Sequence, residues 1–162
     1  MNLALISPFV DALKHVFNTA MQLEVDTLAP VTVRSGSSSY DVAGVVTIKG
    51  EIEGSIAISL AKPTAERLVR LFTGRAVTAD HPDFVDALGE LVSLVCAHAR
   101  GRMENAPRVL TGHPQVALAP VSSLVRPRGV PCAVVLCASD CGPFALEVAL
   151  TATQIAGAVR AA

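Results

Sequence analysis

The sequence contains no tryptophan and one tyrosine, and aromatic residues make up only 4% of its 162 positions. Charge is scarce too, at 17% of residues with a formal net charge of -1. A chain of this balance builds no basic face of the kind nucleic acid requires, which excludes nucleic acid as an expected partner. The four cysteines, Cys96, Cys132, Cys137 and Cys141, form no pair with the two-residue gap typical of zinc sites. Reduced, packed thiols are expected; the alternative is a bridge between Cys137 and Cys141 across the turn Ala138-Ser139-Asp140, which a reducing cytosol disfavours. His15, His81, His98 and His113 are scattered without metal-ligand spacing, so no metal site is expected. No phosphate-binding glycine motif is present, and Gly50, Gly54 and Gly142 suit turns or strand packing. The start, MNLALISPFVDALKHVF, has no basic leader and is interrupted by Pro8, Asp11, Lys14 and His15, so neither a signal peptide nor a membrane span is expected and the protein is read as cytoplasmic.

What the chain does have is apolar residues, 51% of the total. That is enough for one domain over residues 1–162 with a sizeable core. Ser7-Pro8 offers a capping hydroxyl and a first-turn proline, and Phe9, Leu13, Val16, Phe17 and Ala20 follow at helical spacing for about four turns. VTVRS and YDVAGVVTIKG then read as strands around a low-complexity SGSSS loop at 35–39. Lys49-Gly50-Glu51 turns the chain into IEGSIAISL. There Ile52, Gly54, Ile56 and Ile58 alternate with Glu53, Ser55, Ala57 and Ser59, predicting a hairpin with one buried face. Pro63 opens a second helix, whose stripe of Ala65, Leu68, Val69 and Phe72 is closed by Gly74.

His81-Pro82-Asp83 starts a third and longest helix, expected to reach about Asn105 before Pro107 forbids continuation. Beyond it QVALAP, SSLVRP, CAVVLCAS and FALEVALT read as strands, with a turn at Asp140-Cys141-Gly142-Pro143 between the last two. The tail TQIAGAVRAA adds a short helix. Met21 and the phenylalanines fit the core. This order predicts an α+β fold in which an antiparallel sheet packs against helices. Long strands with few charges suggest a homodimer through strand pairing.

The third helix, DALGELVSLVCAHARGRM, carries the functional question. At about 100° per residue Leu88, Leu91, Val92, Val95 and Ala99 share one face, with Val85 and Cys96 at its margin. The other face holds Asp86, Glu90, Ser93, Ala97, Arg100 and Gly101. An amphipathic helix always has a solvated face, and periodicity alone assigns these charges to solubility. Small residues around Glu90, however, leave a shallow surface that a partner's backbone can approach. Ser93 as a nucleophile would need a base, and His98 lies about 140° around the helix from it, which argues against a serine hydrolase. Arg126 and Arg128 are read as loop charges.

This stretch resembles the signature helix of the CheX/CheC-like chemotaxis phosphatases, in which an acidic or seryl residue, then Glu, then Asn recur at the spacing held here by Asp86, Glu90 and Ser93. SPFVDALKHVFNTAMQLEV is similar to that family's opening helix, DVAGVVTIKGEIEGSIAISL to its glycine-marked hairpin, and RPRGVPCAVVLCASDCGPFALEVAL to its closing strands. A single signature helix places the resemblance nearer CheX than CheC.

The resemblance implies a CheC-like fold whose long third helix carries the site, and hydrolysis of the aspartyl phosphate on a CheY-type receiver in chemotaxis or two-component signalling. No cofactor of the protein's own is implied, since the receiver supplies Mg²⁺. Glu90 matches the family Glu that contacts the receiver's active-site lysine. Ser93 stands where the family's Asn orients the attacking water, while Asp86 and Ala97 shape the binding surface. A seryl hydroxyl is shorter than a carboxamide and rotates freely. Three readings therefore stand: a weaker phosphatase, a receiver-binding module without chemistry, or an enzyme whose polar group comes from elsewhere.

Overall fold

The computed structural model describes residues 2–34, 40–103, 108–118 and 129–153. In chain order the elements are α1 (Leu3–Met21), β1 (Asp26–Thr27), β2 (Val31–Val33), β3 (Val42–Gly50), β4 (Ile52–Leu60), α2 (Lys62–Thr73), α3 (Pro82–Arg102), β5 (Val109–Thr111), β6 (Gln115–Ala117), β7 (Cys132–Ala138) and β8 (Phe144–Ala152). The strands form one antiparallel sheet in the order β1-β7-β8-β4-β3-β5, with β2 also on β7 and β6 also on β3. The fold is α+β, as the element order predicts.

The long strands occupy the middle of the sheet. β4 pairs with β3 from Val42↔Leu60 to Ile48↔Gly54, and with β8 from Ile52↔Ala152 to Leu60↔Phe144. Gly54 sits at φ +141°, and a Cβ there would fall on the Ala149 carbonyl oxygen, so the β4–β8 contact requires glycine. The edges are built differently, each from two short pieces. β1 and β2 follow each other along β7 around Pro30, and β5 and β6 along β3 around Pro114. Leu28 N–H donates to the Leu136 carbonyl and Gly112 N–H to the Thr47 carbonyl, each at 2.9 Å, which carries the ladder into the breaks. The long, charge-poor strands from which a strand-paired homodimer is expected are thus interior, and the edges left for pairing are short and interrupted by proline.

Three corrections follow. α1 begins at Leu3, because Asn2 rather than Ser7 is the cap, its Oδ1 accepting from Ala4 N–H at 3.1 Å. Pro8 lies inside the helix, and Ser7 Oγ donates back to the Leu3 carbonyl at 2.9 Å. α3 ends at Arg102, short of the expected Asn105. β4 is buried on both faces from Ser55 to Leu60, since Ser55, Ala57 and Ser59 are as enclosed as Ile56 and Ile58. Small side chains tolerate burial as readily as exposure, so their alternation with isoleucine does not mark a solvent face. The polar ones are satisfied; Tyr40 N–H donates to Ser59 Oγ at 2.8 Å. Glu147, on the same face of β8, is 0% exposed, with Cys132 Sγ 4.0 Å from its Oε2. SGSSS, SSLVRP, Pro107, Arg126, Arg128 and the tail after Thr153 lie outside the described residues.

All three helices contribute to one core with the sheet. Phe9, Leu13 and Phe17 of α1, Leu68 of α2, and Phe84, Leu88 and Leu91 of α3 join Ile56, Ile58, Phe144 and Leu146 in it. Phe17 stacks on Phe144 with ring centroids 5.4 Å apart. Each such side chain contributes about 1.5–3 kcal/mol by leaving water. α2 matches its sequence reading closely: proline stands in the first turn, and Gly74 caps the end at φ +74°.

Candidate functional site

α3 starts where the sequence places it. His81 Nδ1 accepts the Asp83 N–H at 3.1 Å, Pro82 holds the first turn, and Asp83 at the start with Arg100 and Arg102 at the end complement the helix dipole. One side is buried through Leu88, Leu91, Val92, Val95 and Ala99, as the periodicity predicts, and Phe84 adds to it at the helix start. Two glycines set how close the helix lies. A Cβ on Gly44 of β3 would come within 2.7 Å of Val92 Cγ2, and one on Gly89 of α3 within 3.2 Å of the Pro114 ring. The helix is thus seated against β3 beneath it and against the β5–β6 connection at its side. Gly89 escaped the sequence reading because its role depends on a contact with Pro114, far along the chain.

The outer side carries all four residues singled out from the sequence. Asp86, Glu90 and Ala97 are exposed and Ser93 is half-buried. Their spacing of three or four residues places them on one continuous face. Among the described residues, neither carboxylate has an ion pair or hydrogen bond, and the Ser93 hydroxyl has no hydrogen bond. The face therefore offers two negative charges and a hydroxyl, all available to a partner.

Two features of this face were not legible in the sequence. Leu94 is 40% exposed, and with Ala97 it faces Thr19 and Ala20 of α1 across an open groove of about 370 Å³. His98 also lines that groove, stacked on His15 of α1 with ring centroids 4.2 Å apart and planes at 9°. Arg102 Nε donates to His98 Nε2 at 2.9 Å. That nitrogen is occupied, so His98 cannot serve Ser93 as a base through it, in agreement with the argument against a serine hydrolase.

The cysteines are all buried and free, which settles the thiol reading against a Cys137–Cys141 bridge. Burial pushes the Cys96 thiol up to about 12 and that of Cys137 up to about 11, so neither is a thiolate at neutral pH. Among the described residues no three His, Cys, Asp or Glu side chains gather to hold a metal ion, and no helix is long and apolar enough to cross a membrane.

Comparison with solved structures supports the fold. CheX from Desulfovibrio desulfuricans is similar at a TM-score of 0.80 and 23% identity, covering 92% of this chain and 99% of that one. CheX from Vibrio vulnificus gives 0.79 at 19% identity, covering 91% and 99%. A CheX–CheY–BeF3–Mg²⁺ complex from Borrelia burgdorferi gives 0.72 at 16% identity, covering 90% and 96%. At these identities the likeness concerns the fold, which is CheX/CheC-like. No curated protein matches. The model of the family described as chemotaxis phosphatase CheX matches residues 42–136, which is more than half of the chain and includes all of α3. With the acidic–Glu–Ser face on α3 and the fold around it, this chain belongs to the CheX family of chemotaxis phosphatases.

Proposed function

We propose that this chain binds a phosphorylated CheY-type receiver with the outer face of α3 and accelerates hydrolysis of its aspartyl phosphate. The observation that carries this reading is the pairing of exposed Glu90 with half-buried Ser93 on an unpartnered helix face, in register with the family pattern. The receiver holds its own Mg²⁺, lysine and phosphorylated aspartate, and an aspartyl phosphate is already labile. What is missing is a placed water, because positioning is most of what phosphoryl hydrolysis needs. Glu90 anchors the receiver lysine. The Ser93 hydroxyl holds the attacking water, with Asp86 and Ala97 forming the contact surface around it. The Borrelia burgdorferi complex, which joins a CheX to CheY with BeF3 and Mg²⁺, supports a receiver as partner. The protein contributes side chains and no cofactor of its own, and it acts in the cytoplasm.

A second reading has its own observation. Ser93 replaces a carboxamide with a shorter hydroxyl that has no hydrogen bond among the described residues to fix its direction. In that reading the same face binds the receiver and performs no chemistry. Phosphate release from Mg²⁺-loaded phosphorylated receivers of the same organism separates the two. Acceleration by the wild type is expected, rising about 100-fold in Ser93→Asn, on the scale of a restored transition-state hydrogen bond. Acceleration by Ser93→Asn alone identifies a binding module. No gain in Ser93→Asn with binding intact overturns the assignment of Ser93. We further propose that two copies pair along the β1–β2 edge, where Leu28 and Val31 are exposed. A single-chain mass by light scattering removes that reading.

A further inference from the structure

We infer that His98 is a positioning residue for the α3 docking face: as a neutral imidazole stacked on His15 it closes the α1–α3 seam next to Leu94 as a clasp, and on taking up a proton it opens that stack. The inference deepens the proposed function and rests on it only for the effect on receiver binding.

Three observations meet at this residue. Asp86, Glu90, Leu94, His98 and Arg102 follow one another at four-residue spacing, so the clasp lies on the line that carries the docking carboxylates. His98 stacks on His15 at 4.2 Å, and both rings line the groove with Leu94, Ala97, Thr19 and Ala20. Its Nε2 accepts from Arg102 Nε at 2.9 Å, which requires the neutral ring with its proton on Nδ1. A protonated His98 has no acceptor nitrogen. It would turn an N–H toward the Arg102 guanidinium and place a positive charge against the ring of His15.

The charged groups that face His98 are His15 from α1 and Arg102 from its own helix. Among the described residues no carboxylate offsets them. Asp11, one turn ahead of His15, and Glu90, two turns ahead of His98, do not enter the balance. Partial desolvation, then the charges of His15 and Arg102, hold His98 below the ordinary imidazole value. The folded value is therefore depressed. The contacts of the neutral ring are present in full above about pH 6.5, where the unfolded imidazole titrates. They are lost as pH falls through the folded value.

The test is an NMR titration of the full chain, read alongside binding of a beryllofluoride-loaded, Mg²⁺-bound CheY-type receiver from the same organism. His98 is expected to titrate below about 6.5 and to move upward in His15→Gln. The ring-current shifts of both imidazoles should collapse in the same transition. Titration at the ordinary value, indifference to His15→Gln, or stacked-ring shifts that survive protonation overturns the clasp. In binding, the wild type should weaken about threefold or more from pH 8 to 5.5 relative to His98→Phe, which keeps an aromatic ring and removes the proton site. Equal pH profiles for the two overturn the link to docking. If His98→Phe does not fold, His15→Phe tests the same charge repulsion. Failure of the receiver to bind at any pH overturns the proposed function, while the ring-current titration still decides the clasp.

Discussion

α2 and α3 begin alike, each with a proline in its first turn and an apolar stripe on the core, yet their outer faces are put to different use. On α2 two charged side chains, Glu66 and Arg67, are engaged with the molecule itself. Glu66 Oε1 accepts the Ala79 N–H at 3.1 Å, and Arg67 Nη1 donates to the Cys141 carbonyl at 3.2 Å. On α3 the carboxylates of Asp86 and Glu90 have no such tie among the described residues, and the small Ser93 and Ala97 lie on the same face. A charged helix face is thus not one kind of surface. Where its groups tie down neighbouring loops it serves the fold, and where they are left free among small residues it is open to a partner.

The contrast is broken most severely by giving α3 the bulk of α2. Ala97→Arg should cost receiver affinity on the order of 100-fold, read by fluorescence titration, with folding stability changed by no more than about 0.5 kcal/mol. Glu90→Ala comes next, with a loss of about 2 kcal/mol in receiver binding and no shift in the unfolding midpoint. The reverse pattern is expected on α2. Glu66→Ala should lower stability by about 1.5 kcal/mol in urea unfolding, through the orphaned Ala79 N–H, and leave receiver affinity unchanged. The smallest effect belongs to the exposed Arg75–Asp83 pair at 3.1 Å, where Arg75→Ala should cost less than about 1 kcal/mol. Equal effects of Glu90→Ala and Glu66→Ala on receiver binding would erase the distinction between the two helices.

Much of this was readable in the chain because the signals were local. Proline and glycine punctuation marks α2 at both ends, and the start and buried stripe of α3 follow from capping chemistry and a 3.6-residue period. The four-residue spacing that gathers Asp86, Glu90, Ser93 and Ala97 is local as well, although their significance came from family resemblance. What escaped was set by distant contacts. β1 and β5 are two and three residues long, too short for any periodicity, and exist because β7 and β3 offer them partners. Asn2 takes the α1 cap in place of Ser7, and the turn this adds ahead of Pro8 buries Ile6 while Leu3 stays exposed. His15 and His98 are unremarkable in the sequence and meet only when α1 packs on α3.

The two glycines under and beside α3 bear on the thermodynamics of association. A helix held this closely by Val92 over Gly44 and by Pro114 against Gly89 has little freedom left to surrender when a partner arrives. The entropic cost of docking then falls on the few side chains of the outer face and on the incoming molecule, while the backbone that presents Glu90 and Ser93 is already ordered. Calorimetry of the association should accordingly show a heat-capacity change that scales with the apolar area covered, without the excess that accompanies coupled folding.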